Sequence, residues 1–331
     1  MLLSRATPAL RASSRQFAGA GAPKKEPSNW GMIFSVAGVA GLAAYAYINR
    51  TEAQKKKAAA AFPAIPGLDP KEWTPLTLEE VKKYNHNSHT FKFDFEGDDK
   101  DQKTAGLSVA GCILVRSPTG EGQVNDDKGK PVIRPYTPVS AHDARGHIEL
   151  LIKEYPTGKL TPWLSSLKPG DKVLFKGPMK KYQYQAGNFD RGVFVAGGSG
   201  ITPAYQLIDY ALENPQDKTK FTLLYANVEE EDILLREKWD KLAKAHPDRL
   251  QVVYFLDKPP ANWNGESGYV SKDKIQKYFP AKKDGEKVMA FVCGPPPQVA
   301  AVAGPKDGMK QGDVGGAFKD LGLTSEEVFK F

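Results

Sequence analysis

Cysteine and histidine are scarce in this sequence. Its 331 residues include two cysteines, Cys112 and Cys293, and five histidines. They form no CxxC pair, no HExxH motif and no CxxCH motif, which argues against a zinc site, a four-cysteine iron–sulfur cluster or a covalently attached haem. Any metal or haem chemistry is therefore expected in a partner. A disulfide between the two cysteines is left open, although a reducing compartment would disfavour it.

The greater part of the chain also lacks an excess of one charge. Nine of the 46 Lys and Arg residues, and two of the 39 acidic residues, lie in residues 1–57. Residues 58–331 therefore carry 37 charges of each sign, and the net charge of +7 belongs to the N-terminal region. Without a basic surface in the folded part, nucleic-acid binding loses its main electrostatic support, and we expect no nucleic-acid partner.

The first residues contain no acid before position 26. Residues 1–25 contain five basic residues together with many Ala and Ser. That composition is typical of a mitochondrial presequence, with a disordered basic tail as the alternative. We interpret residues 1–29 as a targeting arm. We expect a mitochondrial location, first of all the outer membrane, with a processed intermembrane-space form as the alternative.

One long stretch lacks charge altogether. Residues 30–48 contain no charged side chain, and as a helix they would extend roughly 28 Å, about the hydrocarbon thickness of a bilayer. Aromatic residues at both ends suit the membrane interface, and a buried core helix is the alternative. The sequence therefore predicts one transmembrane helix in contact with membrane lipid. Residues 49–73, which contain several prolines, are expected to form a linker.

The rest of the chain divides into two patterns. Residues 74–182 contain short apolar runs separated by turns, and residues 90–95 alternate with a period of two, which predicts an antiparallel β-barrel. From residue 183 to 331, apolar strands alternate with helical segments, including an expected helix over 231–245. This pattern predicts a doubly wound α/β domain that binds its ligand at the carboxyl ends of the strands.

An Arg, an aromatic ring and a hydroxyl follow one another in the barrel half, in the segment RPYTPVS at 134–140. Two prolines stiffen the segment, and alternation would place Arg134 and Tyr136 on the same side of a strand. A fixed cation beside a flat ring suits a ligand with a phosphate end and an aromatic end. From the residues alone, an ordinary edge strand is an equally good interpretation.

A glycine-rich loop, GGSGITP at 197–203, follows the first apolar strand of the second half. Thr202 is expected to cap the helix that follows, and Pro203 is expected in its first turn. Glycines let a ligand approach the backbone, and a helix N-terminus favours phosphate. A plain glycine turn is the alternative.

These segments together resemble the ferredoxin reductase-like superfamily, and the resemblance covers roughly residues 74–331. The last motifs resemble NADH–cytochrome b5 reductases within it, and the N-terminal arm and apolar run resemble the fungal mitochondrial form. The motifs, in the order of that family, are RPYTPVS at 134–140, LIKEY at 151–155, GKLT at 158–161, GP at 177–178, GGSGITP at 197–203, DILLR at 232–236, CGPPP at 293–297 and VFKF at 328–331.

The resemblance implies that the barrel binds FAD. Arg134 would hold the pyrophosphate, Tyr136 would pack against the flavin, and Thr137 would hydrogen-bond its N5 atom. The other expected FAD contacts are Pro135, Leu151, Lys153, Tyr155, Gly158, Lys159, Leu160 and Thr161. Leu160 and Ser199 depart from the family's usual Met and Thr, which we expect to matter little where backbone N–H groups supply the contacts.

The resemblance also implies that the α/β domain binds NADH. The expected nucleotide contacts are Gly197, Gly198, Ser199, Gly200, Thr202, Asp257, Gly294 and Pro295. Cys293 would lie beside the nicotinamide, with a buried packing residue as the alternative. Thr137, Lys153 and Cys293 are the expected catalytic residues. Asp257, which matches an Asp of the family, would select NADH over NADPH, unless it only begins the turn before Pro259.

The activity that this resemblance implies is transfer of a hydride from NADH to FAD and then of single electrons to cytochrome b5. One alternative is a reductase of an iron–sulfur protein or a quinone. Another is a catalytically inactive membrane tether with the same fold.

Overall fold

The structure, a computed structural model, describes residues 63–331. The expected targeting arm, the apolar run 30–48 and most of the linker lie outside the described residues. Within residues 63–331, the helices are all too short or too polar to cross a bilayer. The described part contains two domains in contact, an antiparallel one followed by a parallel one.

The first domain is built from short strands and one helix. Its elements are the strands β1 (Ile65–Pro66), β2 (Thr74–Lys83), β3 (Ser88–Asp94), β4 (Lys103–Thr104), β5 (Cys112–Arg116), β6 (Arg134–Tyr136) and β7 (His147–Lys153), the helix α1 (Leu160–Ser166) and the strand β8 (Lys172–Met179). Six of these strands form one antiparallel sheet in the order β6-β5-β8-β2-β3-β7.

The alternation along β3 explains how this sheet encloses a core. Phe91 and Phe93 are buried, whereas the residues beside them are partly exposed, as a period of two requires. The ring of Phe93 packs edge-on against Phe175 of β8, with 4.9 Å between ring centroids. The N–H of Val139, shortly after β6, donates to the carbonyl of Glu149 in β7 at 2.9 Å, so the two edges of the sheet meet as in the expected barrel.

The residues just before β2 pack on this barrel. β1 pairs in parallel with β4, and Leu68, 5 % exposed, belongs to the barrel core. The N–H of Gly67 donates to Thr104 O at 2.8 Å, and the N–H of Gly177 donates to Asp69 O at 3.1 Å. Residues 65–69, which belong to the expected linker 49–73, therefore contribute apolar burial and hydrogen bonds to the first domain.

The second domain alternates strands and helices. Its elements are the strand β9 (Arg191–Gly197), the helix α2 (Ile201–Glu213), the strand β10 (Lys220–Asn227), the helix α3 (Arg236–Ala245), the strands β11 (Leu250–Leu256) and β12 (Glu266–Ser267), the helix α4 (Lys272–Tyr278), the strand β13 (Val288–Cys293), the helices α5 (Pro296–Ala303) and α6 (Gly316–Asp320) and the strand β14 (Val328–Lys330). The strands form one parallel sheet in the order β12-β11-β10-β9-β13-β14.

Both faces of this sheet are covered. Phe194 and Ala196 of β9 face one core, which includes α2, whereas Val193 and Val195 face another, which includes residues of α5 and α6. The chain proceeds outward from β9 to β12 and then returns to place β13 on the other side of β9. This reversal of strand order is the topological switch point, where such a sheet binds ligands beyond its carboxyl ends.

The expected helix over 231–245 begins later than the sequence predicts. Residues 230–232 form a 3₁₀ turn instead, and α3 begins at Arg236. The reason lies in Asp232, whose carboxylate accepts the N–H of Glu229 at 3.2 Å, and in Leu235, which has a left-handed φ of 59°. A capping carboxylate stabilises a turn that competes with a continuous helix.

A buried amide joins the two domains. Gln206 on α2 accepts the N–H of Ala110 at 3.0 Å and donates to Pro138 O at 3.0 Å. Both partners belong to the first domain, and Gln206 is 7 % exposed. Because its donor and acceptor are both satisfied across the boundary, this side chain fixes α2 against the barrel.

Candidate active site

Two cavities lie between the domains. The barrel-side cavity, about 480 Å³, is bounded by β6, the end of β7, the turn before α1 and the loop after β9. The sheet-side cavity, about 540 Å³, is bounded by the carboxyl ends of β9, β10 and β11 and by α5. Both are of a size that takes a small ligand or cofactor. Lys153, Tyr155, Gly197 and Pro295 line both cavities, which together form one crevice.

The predicted site residues meet in this crevice. Eighteen of them line the barrel-side cavity, namely Arg134, Pro135, Tyr136, Thr137, Leu151, Lys153, Tyr155, Gly158, Lys159, Leu160, Thr161, Gly197, Ser199, Gly200, Thr202, Cys293, Gly294 and Pro295. Gly198 and Asp257 line the sheet-side cavity. Proximity does not assign a role, so the individual contacts to FAD and NADH stay predictions.

The strand β6 presents a cation and a ring to the barrel-side cavity. Arg134 is exposed, and its guanidinium donates to the carbonyl of Ile133 at 2.9 Å. Among residues 63–331, no carboxylate lies within ion-pair distance of Arg134, which leaves its charge available to an anion. Burial raises the pKa of Tyr136, so its phenol is neutral at physiological pH.

The opposite wall connects the two domains. The hydroxyl groups of Tyr155 and Ser199 are 2.9 Å apart, so the end of β7 contacts the glycine loop directly. Thr161 Oγ1 accepts the N–H of Tyr155 at 3.2 Å, which closes the turn before α1. Lys159 lines the cavity, but its ammonium is paired with Asp127 of the loop between β5 and β6. To bind a phosphate, Lys159 would have to break its ion pair with the exposed Asp127.

Two glycines of the loop after β9 permit unusually close packing. A Cβ on Gly200 would lie 2.3 Å from the carbonyl oxygen of Cys293, and one on Gly197 would lie 2.0 Å from Oε1 of Gln298. The contact at Gly200 is with backbone, so the loop can lie against β13 only with glycine at that position. At Gly197 the contact is with the end of the Gln298 side chain, which would have to move to admit a Cβ.

The expected N-cap at Thr202 is wrong. The helix α2 begins at Ile201 after a 3₁₀ turn over Gly198–Gly200, and its N-cap residue is Gly200, which offers no side-chain acceptor. Thr202 lies inside the first turn, where its hydroxyl donates to Ser199 O at 3.4 Å. Pro203 is in the first turn, as expected, because an N–H is not needed there.

The sheet-side cavity contains polar groups that lack partners. Both polar atoms of the Asn227 amide and the Nε2 atom of Gln298 are buried without a hydrogen-bond partner in the described part of the chain. Buried amides without partners are costly unless a ligand or water satisfies them. Asp257 lies at the carboxyl end of β11, and burial raises the pKa of its carboxyl group.

Cys293 ends β13 at the junction of the crevice with the sheet. Burial raises the pKa of Cys293 to about 12, so its thiol is neutral at physiological pH and does not act as a thiolate nucleophile. Beside it, the N–H of Phe331 donates to Val292 O at 3.0 Å, and the ring of Phe331 stacks on Phe194 with 5.5 Å between centroids. The C-terminal residue thereby forms part of the cavity wall.

Comparison with known proteins connects these features to two families of domain. Residues 75–184 match the oxidoreductase FAD-binding domain, and residues 194–304 match the oxidoreductase NAD-binding domain. The chain is 42% identical over 332 residues to the NADH-cytochrome b5 reductase 2 of Mycosarcoma maydis, a match that covers 96% of this chain and 93% of that protein. It is 44% identical over 261 residues to the Debaryomyces hansenii protein of the same name, covering 78% and 83%.

This chain belongs to the NADH–cytochrome b5 reductase family. Among solved structures, it is similar to the cytochrome b5 reductase domain of Ulva prolifera nitrate reductase, with a TM-score of 0.68, 30% identity and coverage of 81% of this chain and 100% of that one. The reductase is a flavin-dependent oxidoreductase with FAD and NADH as its cofactors. The predicted domain types are thereby confirmed, whereas the apolar run 30–48 lies outside the described residues.

The crevice of this reductase fits its cofactors. The barrel-side cavity brings the guanidinium of Arg134, which has no carboxylate partner within residues 63–331, together with the ring of Tyr136, as a ligand with a phosphate and an aromatic part requires. Within the described residues, the sheet-side cavity offers the unpaired amide of Asn227, the unpaired Nε2 atom of Gln298 and the carboxylate of Asp257 to a polar nucleotide. The two sites share Lys153 and Tyr155 and are therefore adjacent.

Sequence reasoning about this reductase missed several residues of the crevice. Asn227 was detectable in principle, because it ends a strand next to the glycine loop. Gln298 and Tyr269, the latter 81 % exposed, gave no signal in the sequence. On the barrel side, Cys112 and Lys181 also line the cavity.

Proposed function

We propose that this reductase transfers a hydride from NADH to FAD within the crevice and then delivers electrons singly to cytochrome b5 at a mitochondrial membrane. The observation that carries the proposal is the meeting of the two cavities at Lys153, Tyr155, Gly197 and Pro295. Bound FAD supplies a two-electron acceptor that can release its electrons one at a time. The protein supplies position and electrostatics.

The residues of the crevice suit positioning better than proton transfer. Cys293 and Tyr136 both have pKa values raised by burial and remain neutral, so neither exchanges protons readily near pH 7. Lys153 lies where the two cavities meet, and Thr137 lines the barrel-side cavity. Holding two reactants in contact can account for most of the acceleration of a hydride transfer.

Cytochrome b5 is proposed as the acceptor because the relatives carry that activity in their names. The acceptor is tested with purified protein, saturating NADH and equal concentrations of cytochrome b5, a [2Fe–2S] ferredoxin and a soluble quinone. We expect kcat/KM to be highest for cytochrome b5. A higher value for the ferredoxin or the quinone would assign the enzyme to the alternative class, and a protein that retains no flavin would support the inactive tether.

The mitochondrial location is proposed from residues 1–29, and the contact with membrane lipid from residues 30–48. Deletion of residues 1–28 should leave NADH oxidation unchanged and remove the protein from mitochondria, whereas alanine substitution of Lys128, an exposed cation elsewhere, should change neither. Unchanged mitochondrial location after the deletion would contradict the targeting arm. Extraction of the full chain by carbonate alone would contradict the membrane span.

A further inference from the structure

Asp232 opens the segment DILLR, which has no part in the function described so far. It ends the 3₁₀ turn over Glu230–Asp232 and is 5 % exposed. Its Oδ1 atom accepts a hydrogen bond from Lys153 Nζ at 2.8 Å and another from Asn87 Nδ2 at 2.9 Å. Its Oδ2 atom accepts the N–H of Glu229 at 3.2 Å. One carboxylate thus joins β7, the β2–β3 hairpin and the segment after β10.

The carboxylate of Asp232 is charged in the folded protein. Burial acts to raise its pKa, but hydrogen bonds from Lys153 and Asn87 outweigh that effect and hold the pKa below its ordinary value of 3.8. Lys153 is itself only 14 % exposed, so the pair is largely withdrawn from solvent. Removing one partner of such a pair leaves the other charge uncompensated.

Lys153 lies where both cavities meet. It lines the barrel-side and the sheet-side cavity, and one of the three N–H donors of its ammonium is directed to Asp232. An unpaired lysine has a flexible four-carbon stem and many rotamers. The bond to Asp232 restricts that freedom and fixes the cation relative to both cofactor sites.

The hairpin between β2 and β3 is fastened to the same segment. Tyr84 Oη accepts the N–H of Leu235 at 2.8 Å, and Asn85 Nδ2 donates to Glu231 O at 2.8 Å. His86 Nε2 lies 3.4 Å from Asp232 Oδ1. These bonds join the first domain to the second at the segment after β10, apart from the contacts that Gln206 makes from α2.

We propose that Asp232 is a positioning residue for hydride transfer, which holds the Lys153 ammonium at the junction of the two cavities and keeps the nucleotide site in register with the flavin site. The proposal rests on the proposed function, since it assigns a residue that acts on the same crevice. Asp232 lines neither cavity and acts through Lys153 and the hairpin.

The test compares Asp232→Asn with Asp240→Asn. The first keeps the shape and removes the charge, and the second removes an exposed carboxylate of α3 that accepts from Tyr254 Oη at 2.7 Å. We expect Asp232→Asn to lower the limiting rate of flavin reduction by NADH by about tenfold to a hundredfold, since a misplacement of 1 Å can cost that much. Reduction of ferricyanide by the dithionite-reduced protein, which needs no nucleotide, should be unchanged in both variants.

A double-mutant cycle separates positioning from simple stability. If Asp232 acts through Lys153, the double variant of Asp232→Asn and Lys153→Met should match Lys153→Met alone in kcat/KM for NADH and in the dissociation constant for NAD⁺. Effects that multiply instead would overturn the proposal. Equal values for Asp232→Asn and wild type would overturn it as well.

Hydrogen exchange provides a readout that does not depend on activity. Asp232→Asn should speed exchange in residues 84–87 and 229–235, and Asp240→Asn should not. If Asp232→Asn does not fold, Asn87→Ala is used instead. It removes the Asn87 hydrogen bond to Asp232 and leaves the charges of Asp232 and Lys153 in place. Hydrogen exchange and NAD⁺ affinity that both stay unchanged in that variant would count against the proposal. A wild type that fails to oxidise NADH would instead contradict the proposed function, while exchange and NAD⁺ affinity would still decide the role of Asp232.

Discussion

Individual side chains in the crevice have pKa values set by burial and by neighbouring charge. Burial raises the pKa of Cys293 to about 12 and also raises the pKa of Tyr136, which favours their neutral forms. Burial acts on Asp232 in the same direction, but the hydrogen bond from Lys153 reverses the result. The crevice is therefore lined by two neutral groups, Cys293 and Tyr136, and by Lys153, which forms an ion pair with Asp232.

Substitution of Cys293 tests its role beside the nicotinamide. We expect Cys293→Ser to keep its flavin and to reduce it more slowly, by up to about a hundredfold, because the thiol is predicted to orient the hydride donor and a misplacement of about 1 Å can cost that much. Because the folded pKa is raised to about 12, the wild-type thiol should cause no inflection near pH 8.5, where an ordinary cysteine titrates. Stopped-flow reduction of the variant at the wild-type rate would show that Cys293 is only a packing residue.

Substitution of Arg134 tests the phosphate side of the barrel-side cavity. We expect Arg134→Ala to weaken FAD retention by about tenfold to a hundredfold, the value of a charge-assisted hydrogen bond, and to change NADH affinity less. The measurement is flavin occupancy after dialysis. Lys128→Ala, which removes an exposed cation that lines neither cavity, is the control. Equal occupancy in both variants would remove Arg134 from the FAD site.

Asp257 is predicted to select the nucleotide. A carboxylate at the end of β11 can accept hydrogen bonds from ribose hydroxyls and repels the additional phosphate of NADPH. Asp257→Thr should therefore lower the ratio of kcat/KM for NADH to that for NADPH, whereas Asp248→Thr, just before the amino end of β11, should not. Burial raises the pKa of Asp257, so its carboxylate is protonated at a higher pH than that of an ordinary Asp. As the pH falls, the wild-type preference for NADH over NADPH should therefore begin to weaken at that higher pH. An unchanged ratio in Asp257→Thr would contradict the assignment.

Secondary structure elements were predictable where periodicity dominates. The alternation at 90–95 predicted a half-buried strand, and the apolar strands that alternate with helical segments after residue 183 predicted a parallel sheet, because both patterns follow directly from burial. Boundaries set by side-chain hydrogen bonds were not predictable. The late start of α3 depends on Asp232, and the cap of α2 depends on glycines that pack on β13.

The site was predictable for a different reason. Its motifs lie on separate elements, and no local pattern predicts that they meet. Their order along the chain, which matches the order in a known family, is what predicts a common site. Asn227 and Gln298 belong to no such motif, and their unpaired amides became visible only from burial. Tertiary contacts between distant residues leave no local pattern in a sequence.

The first strand gives a prediction about domain limits. A protein that begins at Pro63 should bind FAD and oxidise NADH, whereas one that begins at Thr74 should lose roughly 2–4 kcal/mol of stability through loss of Leu68 burial and of the Gly67 and Asp69 hydrogen bonds. Urea unfolding of both FAD-loaded proteins gives the comparison. Equal free energies of unfolding would show that residues 63–73 act only as a linker.

At the scale of the whole molecule, residues 63–331 of the reductase form two domains joined around one crevice. Gln206 on α2 fastens one domain to the other, and Asp232 with its partners fastens them at the segment after β10. The two cavities of the crevice adjoin at Lys153 and Tyr155. A hydride can pass directly between two bound cofactors only if this arrangement persists in solution.

An anaerobic titration of the FAD-loaded protein with NADH tests this central claim most directly. Absorbance of the oxidised flavin is followed as NADH is added, with NADPH in a parallel titration. The account predicts that the flavin band is lost in proportion to NADH, with one equivalent sufficient, and that NADPH acts far more slowly. A flavin band that persists in excess NADH, in a protein that has retained its FAD, would contradict the account.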